Sequence, residues 1–193
     1  MGGVFGLNYG WEHPLWFSKD GAGATESYGF ERQDWFEPVG DECRALRESV
    51  GIIDVSNFAK YEVKGEAAGE WLDRIVANKV PTEAGRMCLA PLLGKRGGIA
   101  GDFTITKVGD GDYLIVGSGM AERYHKRFFD AVPMPAGVTM ESKTDAWAGF
   151  NVAGPKSREL LARLTNTDLS NEAFRFMRSK RITIAGIDAT ALR

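Results

Sequence analysis

The stretch Gly97-Gly98-Ile99-Ala100-Gly101-Asp102 brings glycines up to a single carboxylate. Two glycines and a short turn before Asp102, and the β-branched run Phe103-Thr104-Ile105-Thr106 after it, place the acid at a rim, where Gly101 adds no bulk to hinder a ligand. A carboxylate so placed can orient a nucleophile, accept its proton or stabilise a cation. It can equally be a solvated turn residue, and the residues alone leave that choice open. Gly117-Ser118-Gly119 before a helix suits an anion-binding turn or simply a tight connection. His125, among Arg123, Lys126 and Arg127 on a helix, is expected on a solvated basic face, with anion binding as the alternative. His13 reads as a packing or interface residue. Cys43 and Cys88 have no activating neighbour and no partner motif, which favours two reduced thiols over a catalytic thiol or a disulfide. Scattered histidines and cysteines give no dedicated zinc site.

The elements that must carry these residues follow from pattern. A helix starts near Pro38, with Asp41 and Glu42 suited to its N-terminal end and Gly51 to its stop. Residues 58–64 alternate as a strand. Ala68, Trp71, Leu72, Ile75 and Val76 share one helical face, expected to lie on a sheet. Residues 87–93, 103–106 and 113–116 read as strands with turns at Lys95-Arg96-Gly97-Gly98 and Gly109-Asp110-Gly111-Asp112, so they pair as antiparallel hairpins. A helix over 121–131 is expected to pack through Tyr124, Phe128 and Ala131. Strands over 138–143 and 147–153, a helix opened by Gly154-Pro155, and a hairpin turning at Gly186 complete the pattern. The fold class is α+β, antiparallel sheets with flanking helices.

Residues 1–36 stand apart. Trp11, Trp16, Trp35, Tyr9, Tyr28, Phe5, Phe17, Phe30 and Phe36 lie there among many glycines, without a helical or strand period. Such a segment is expected to anchor through its aromatics, as a clamp on this domain's own body or as a connection to a preceding domain. The division that results is an arm over 1–36, a first subdomain over 37–135 and the start of a second over 136–193. The chain ends directly after a strand pattern, which leads us to expect truncation.

Of 193 residues, 44% are hydrophobic and 26% charged, and the formal charge is −2, ordinary for a globular protein and without the basic surface that nucleic acid requires. No apolar run is long enough to cross a bilayer, and no signal segment stands at the start. A cytoplasmic protein without nucleic-acid or membrane partners is expected.

The order of motifs resembles the glycine-cleavage T-protein (aminomethyltransferase) family. Residues 46–56, Leu46-Arg47-Glu48-Ser49-Val50-Gly51-Ile52-Ile53-Asp54-Val55-Ser56, are similar to the start of its first sheet. Asn78-Lys79-Val80 resembles its turn after the next helix, residues 97–102 its glycine turn with an acid, and Ala153-Gly154-Pro155-Lys156-Ser157 its strand-to-helix corner. Val4-Phe5-Gly6, residues 10–17 and Trp35-Phe36-Glu37-Pro38-Val39-Gly40 look like the join between an FAD-dependent oxidase domain and a folate domain, as in dimethylglycine and sarcosine dehydrogenases. The resemblance implies a tetrahydrofolate cleft, with Asp102 orienting folate's reactive nitrogen or taking its proton during attack on an iminium from an N-methyl amine. FAD would sit in a preceding domain of the same polypeptide. Phe58, Leu89, Leu114, Val116 and Ser118 fall on the family's folate-contacting positions, although T-proteins commonly have methionine, tyrosine and asparagine where Phe58, Leu114 and Ser118 stand, and the residues by themselves favour sheet core for Phe58, Leu89 and Val116. For the basic face around His125, contact with folate's polyglutamate tail is the alternative, and a solvated face stays the expectation. The family's tyrosine-glycine-glutamate element falls beyond Arg193. A non-catalytic folate-binding module and an inactive fragment of the same fold remain the alternatives.

Overall fold

The computed structural model describes residues 2–8, 10–19, 21 and 28–193, and Tyr9 of the aromatic arm falls outside them. Two compact units result: residues 1–52 with 152–157, and residues 53–151 with 158–193.

In the first unit, β1 (Gly3–Asn8) and β2 (Trp11–Phe17) form an antiparallel hairpin, from Gly3 opposite Phe17 to Asn8 opposite Trp11. This corrects the expectation of a segment without regular structure. A register shift between Val4 and Phe5 breaks the two-residue period, and apolar side chains occupy both faces, so no alternation is visible. Val4 and Trp16, opposite one another, are buried, whereas Phe5, Leu7, Trp11 and Leu15 are exposed. Helix α1 (Phe36–Glu48) follows, with no buried residue. It ends earlier than expected, and Gly51 opens strand β3 (Gly51–Asp54) instead of capping the helix. Gly154 stands against the helix end, where its φ of +115° and the closeness of the Ser49 carbonyl oxygen, 2.4 Å from where a Cβ would lie, exclude a side chain.

The second unit is built on a five-stranded sheet of β4 (Ala59–Lys64), β5 (Met87–Leu93), β6 (Ile99–Gly109), β7 (Asp112–Gly117) and β8 (Thr139–Ser142), in the order β5-β6-β7-β4-β8 and antiparallel throughout. One face is the core. Tyr61, Val63, Phe103, Ile105 and Ile115 meet Trp71 and Leu72 of α2 (Ala68–Asp73) and Phe129 of α3 (Glu122–Asp130). The buried polar tips are satisfied by carbonyls: Trp71 Nε1 donates to Val132, the Tyr113 hydroxyl to Pro81 and the Tyr61 hydroxyl to Glu122. Burial, with Glu122 nearby, pushes the Tyr61 hydroxyl well above its usual pKa.

Helix α3 packs through Phe128 as expected, but the rest of its packing face is corrected: His125 and Phe129, four residues apart, are buried against the sheet, while Ala131 and Tyr124 are exposed and Tyr124 meets Phe128 edge-on. Arg127 lies over the Tyr124 ring. Strand β9 (Phe150–Ala153) pairs with β3, and α4 (Ser157–Ala162) follows. Strands β10 (Ser179–Ile184) and β11 (Ile187–Leu192) form the expected hairpin, its two turn residues Ala185 and Gly186 at φ 49° and 86°.

Candidate functional site

The site is read from β6. Its β-branched residues favour a strand, and its period of two sends Phe103 and Ile105 to the core while Asp102, Thr104 and Thr106 share the opposite face. Register carries that face across three strands. Leu89 of β5 and Val116 of β7 both stand opposite Thr104, Pro91 stands opposite Asp102, and Met87 and Leu114 stand opposite Thr106. Phe58 and Ser118 each lie one residue beyond Ala59 and Gly117, the last pair of the β4–β7 ladder. The strands thus bring Asp102, Leu89, Leu114 and Val116 onto one face, with Phe58 and Ser118 at its end.

The environment of Asp102 differs from the expected rim beside a turn. The glycine turn closes earlier, through the Gly94 amide to the Gly98 carbonyl at 2.8 Å, and Asp102 lies inside β6. Its carboxylate is exposed, next to an apolar floor that is itself open: Leu89 is 63% exposed and Phe58 44%, whereas Leu114 is 8% exposed. Clefts of about 480 and 450 Å³ lie elsewhere, beside Leu164 and Gly186 and beside Gly65 and Gly111.

The glycines also have another reason than ligand approach. A Cβ on Gly101 would stand 2.4 Å from His125 Nε2, on the core side and away from the Asp102 face. A Cβ on Gly117 would stand 2.6 Å from the Phe103 ring, and one on Gly119 would stand 1.7 Å from the Asn57 carbonyl oxygen. Gly117-Ser118-Gly119 is therefore a tight connection into a three-residue 3₁₀ turn, Gly119–Ala121.

Three residues at this face were missed in the sequence. Thr104 sits between Leu89 and Val116, and its signal was the two-residue spacing from Asp102. Thr106 is fully buried, and its hydroxyl has no hydrogen-bond partner among the described residues. Lys60, opposite Val116, is buried and donates from Nζ to the carbonyls of Ser56 and Phe58 at 2.8 Å, which ties down the turn that presents Phe58. Desolvation lowers the Lys60 pKa, against the pull of Glu122, Asp145 and Asp54.

His125, expected in solvent, is 2% exposed, and its Nε2 lies 3.2 Å from the Ala100 carbonyl oxygen. Both cysteines are free thiols. Burial, and then the Asp73 carboxylate, push the Cys88 thiol up in pKa, which opposes a nucleophilic role. Among the described residues, no group of three His, Cys, Asp or Glu side chains is placed to hold a metal, and no helix is long and apolar enough to cross a membrane.

Comparison with known proteins agrees with this architecture. The GCVT N-terminal domain matches residues 1–193. Mouse mitochondrial dimethylglycine dehydrogenase is 34% identical over 190 residues, which cover 97% of this chain and 22% of that enzyme. The formaldehyde-forming 4-methylaminobutanoate oxidase of Paenarthrobacter nicotinovorans is 33% identical over 193 residues, 100% of this chain and 23% of that one. The glycine cleavage system aminomethyltransferase T of Bartonella henselae superposes with a TM-score of 0.70 at 19% identity, over 92% of this chain and 43% of the other, a likeness of fold. The chain thus spans less than a quarter of the length of these curated relatives. With its α+β architecture of antiparallel sheets, it belongs to the GCVT N-terminal domain family.

Proposed function

We propose that this chain binds tetrahydrofolate and serves one-carbon transfer in an FAD-dependent N-methyl amine dehydrogenase of the dimethylglycine or sarcosine type. The observation that carries the reading is the face of β5, β6 and β7, where one carboxylate, Asp102, stands beside exposed apolar side chains and Thr104.

The residues suit a flat, partly polar ring system. Leu89, Val116 and Phe58 offer apolar contact, Leu114 backs them, and Ser118 and Thr104 offer hydroxyls. Tetrahydrofolate supplies the nucleophilic nitrogen that captures the one-carbon unit. Asp102 orients that nitrogen, accepts its proton and stabilises the cationic iminium by charge. Lys60 holds the Phe58 turn in place. FAD belongs to a flavin domain of the same polypeptide, and no residue of this chain is assigned to it. The arm over 1–36 is the connection to that domain, followed by subdomains over 37–135 and 136–193. A cytoplasmic setting, free of nucleic acid, completes the reading.

Asp102→Asn in the natural polypeptide containing this chain tests the assignment. Flavin reduction by the amine should be unchanged, while methylene-tetrahydrofolate yield falls by about a hundredfold and free formaldehyde rises. An undiminished yield removes Asp102 from the reaction. Calorimetry with tetrahydrofolate then separates a binding module, which takes up the ligand without turnover, from an inactive scaffold, which does not bind it.

A further inference from the structure

The reaction above makes no use of a buried imidazole packed behind the strand that carries Asp102. We propose that His125 is a positioning residue for Asp102, holding the bulge of β6 that precedes the carboxylate where β7 has ended. The proposal rests on the reading of Asp102 as the transfer carboxylate.

Strand β6 outlasts β7. Their pairing begins at Thr104 opposite Val116, and β7 stops at Gly117 before the chain turns away. In an antiparallel ladder, alternate residues turn their amide and carbonyl to the same side. The Pro91 carbonyl accepts from the Ala77 amide at 2.8 Å and so points away from β6, which makes Pro91 and Asp102 a pair whose backbone groups face apart. Asp102 therefore presents its backbone groups on the β7 side, beyond the last β6–β7 pair, while Ala100 is the extra residue of a bulge in β6, where Leu92 stands opposite Gly101 and Leu93 opposite Ile99. At Ala100 the donor is His125 Nε2, 3.2 Å from the carbonyl oxygen.

A carbonyl only accepts, so Nε2 carries the proton. Nδ1 is buried and makes no hydrogen bond to any described residue. An apolar side chain would fill the same space without an unpaired buried nitrogen, so what the imidazole adds is the donor. The neighbours of Asp102 fit the same ring. Gly101 leaves room for Nε2, and the Phe103 ring meets the imidazole edge-on at 4.9 Å between centroids. One side chain of α3 thereby meets the Ala100 carbonyl before the carboxylate and the Phe103 ring after it.

The test measures one-carbon transfer against tetrahydrofolate concentration, with thermal melting, in the natural polypeptide carrying His125→Gln, His125→Leu, Asp102→Asn or the last two together. Glutamine keeps a donor, and leucine keeps apolar volume without one. His125→Leu is expected to lower kcat about tenfold with KM for tetrahydrofolate within about twofold, and His125→Gln to retain most of kcat. Adding His125→Leu to Asp102→Asn should cost no further kcat, since alignment no longer matters once the proton acceptor is gone. Full kcat in His125→Leu, equal losses for both substitutions, or independent losses in the double variant overturn the proposal while leaving Asp102 in place. Undiminished transfer in Asp102→Asn overturns the underlying assignment instead. Should His125→Leu fail to fold, His125→Gln decides. A kcat within about threefold of the parent supports the proposal, and a larger loss at unchanged melting temperature overturns it.

Discussion

The β1–β2 hairpin and the five-stranded sheet are both assembled from short antiparallel strands, yet they place their apolar side chains oppositely. In the sheet, Tyr61, Val63, Phe103, Ile105 and Ile115 point to one face and are closed off by α2 and α3. In the hairpin, Phe5, Leu7, Trp11 and Leu15 remain exposed, and Val4 and Trp16 are its buried hydrophobics. The difference is how much of each a second layer covers. A strand binds its apolar face into a core only where another element covers that face, and a two-stranded ribbon by itself has little to offer. The candidate site lies on the less covered side of the sheet, where Leu89 and Phe58 share the hairpin's exposure.

The largest effect should come from the covered face. Phe129 is 1% exposed and packs against Tyr61, Trp71 and Phe103. Phe129→Ala should cost about 3–5 kcal/mol in urea unfolding, and a cost near zero would break the contrast. A smaller effect separates the two cysteines. Cys43 is exposed on α1, whereas Cys88 on β5 is partly buried with its thiol pushed up by desolvation. At neutral pH iodoacetamide should modify Cys43 about tenfold faster than Cys88, as mass spectrometry of the two peptides would read. The smallest effect belongs to the hairpin. Trp11 is 78% exposed, and Trp11→Ser should change unfolding stability by less than about 0.5 kcal/mol. A larger loss would mean that the hairpin is more than an open ribbon.

What was legible in the sequence follows the same division. Strand β5 runs over the residues its apolar run indicated, Met87–Leu93, and the Gly186 turn lies where expected, because each signal is local. The hairpin was hidden because its register shift and two-sided apolar pattern erase alternation. In α3, the charged neighbours Arg123, Lys126 and Arg127 disguised a buried His125, although His125 and Phe129 at i and i+4 formed the readable stripe. Asp102 was singled out through the glycines before it, yet Gly101 faces His125, so the structure replaces part of the reason for choosing it. Thr104 was passed over because a threonine in an alternating strand resembles ordinary sheet surface until register places it between Leu89 and Val116.

The outer margin of β5 has a consequence for self-association. The Asn78 side chain donates to the Leu89 carbonyl at 2.7 Å, and the Ala77 amide donates to Pro91, which itself has no N–H. A second copy sliding alongside that strand finds two of its acceptors engaged and a donor missing, which makes it a poorer template to extend. The short segment after α2 thus covers part of that edge, beside which Leu89 and Leu93 stand in the open.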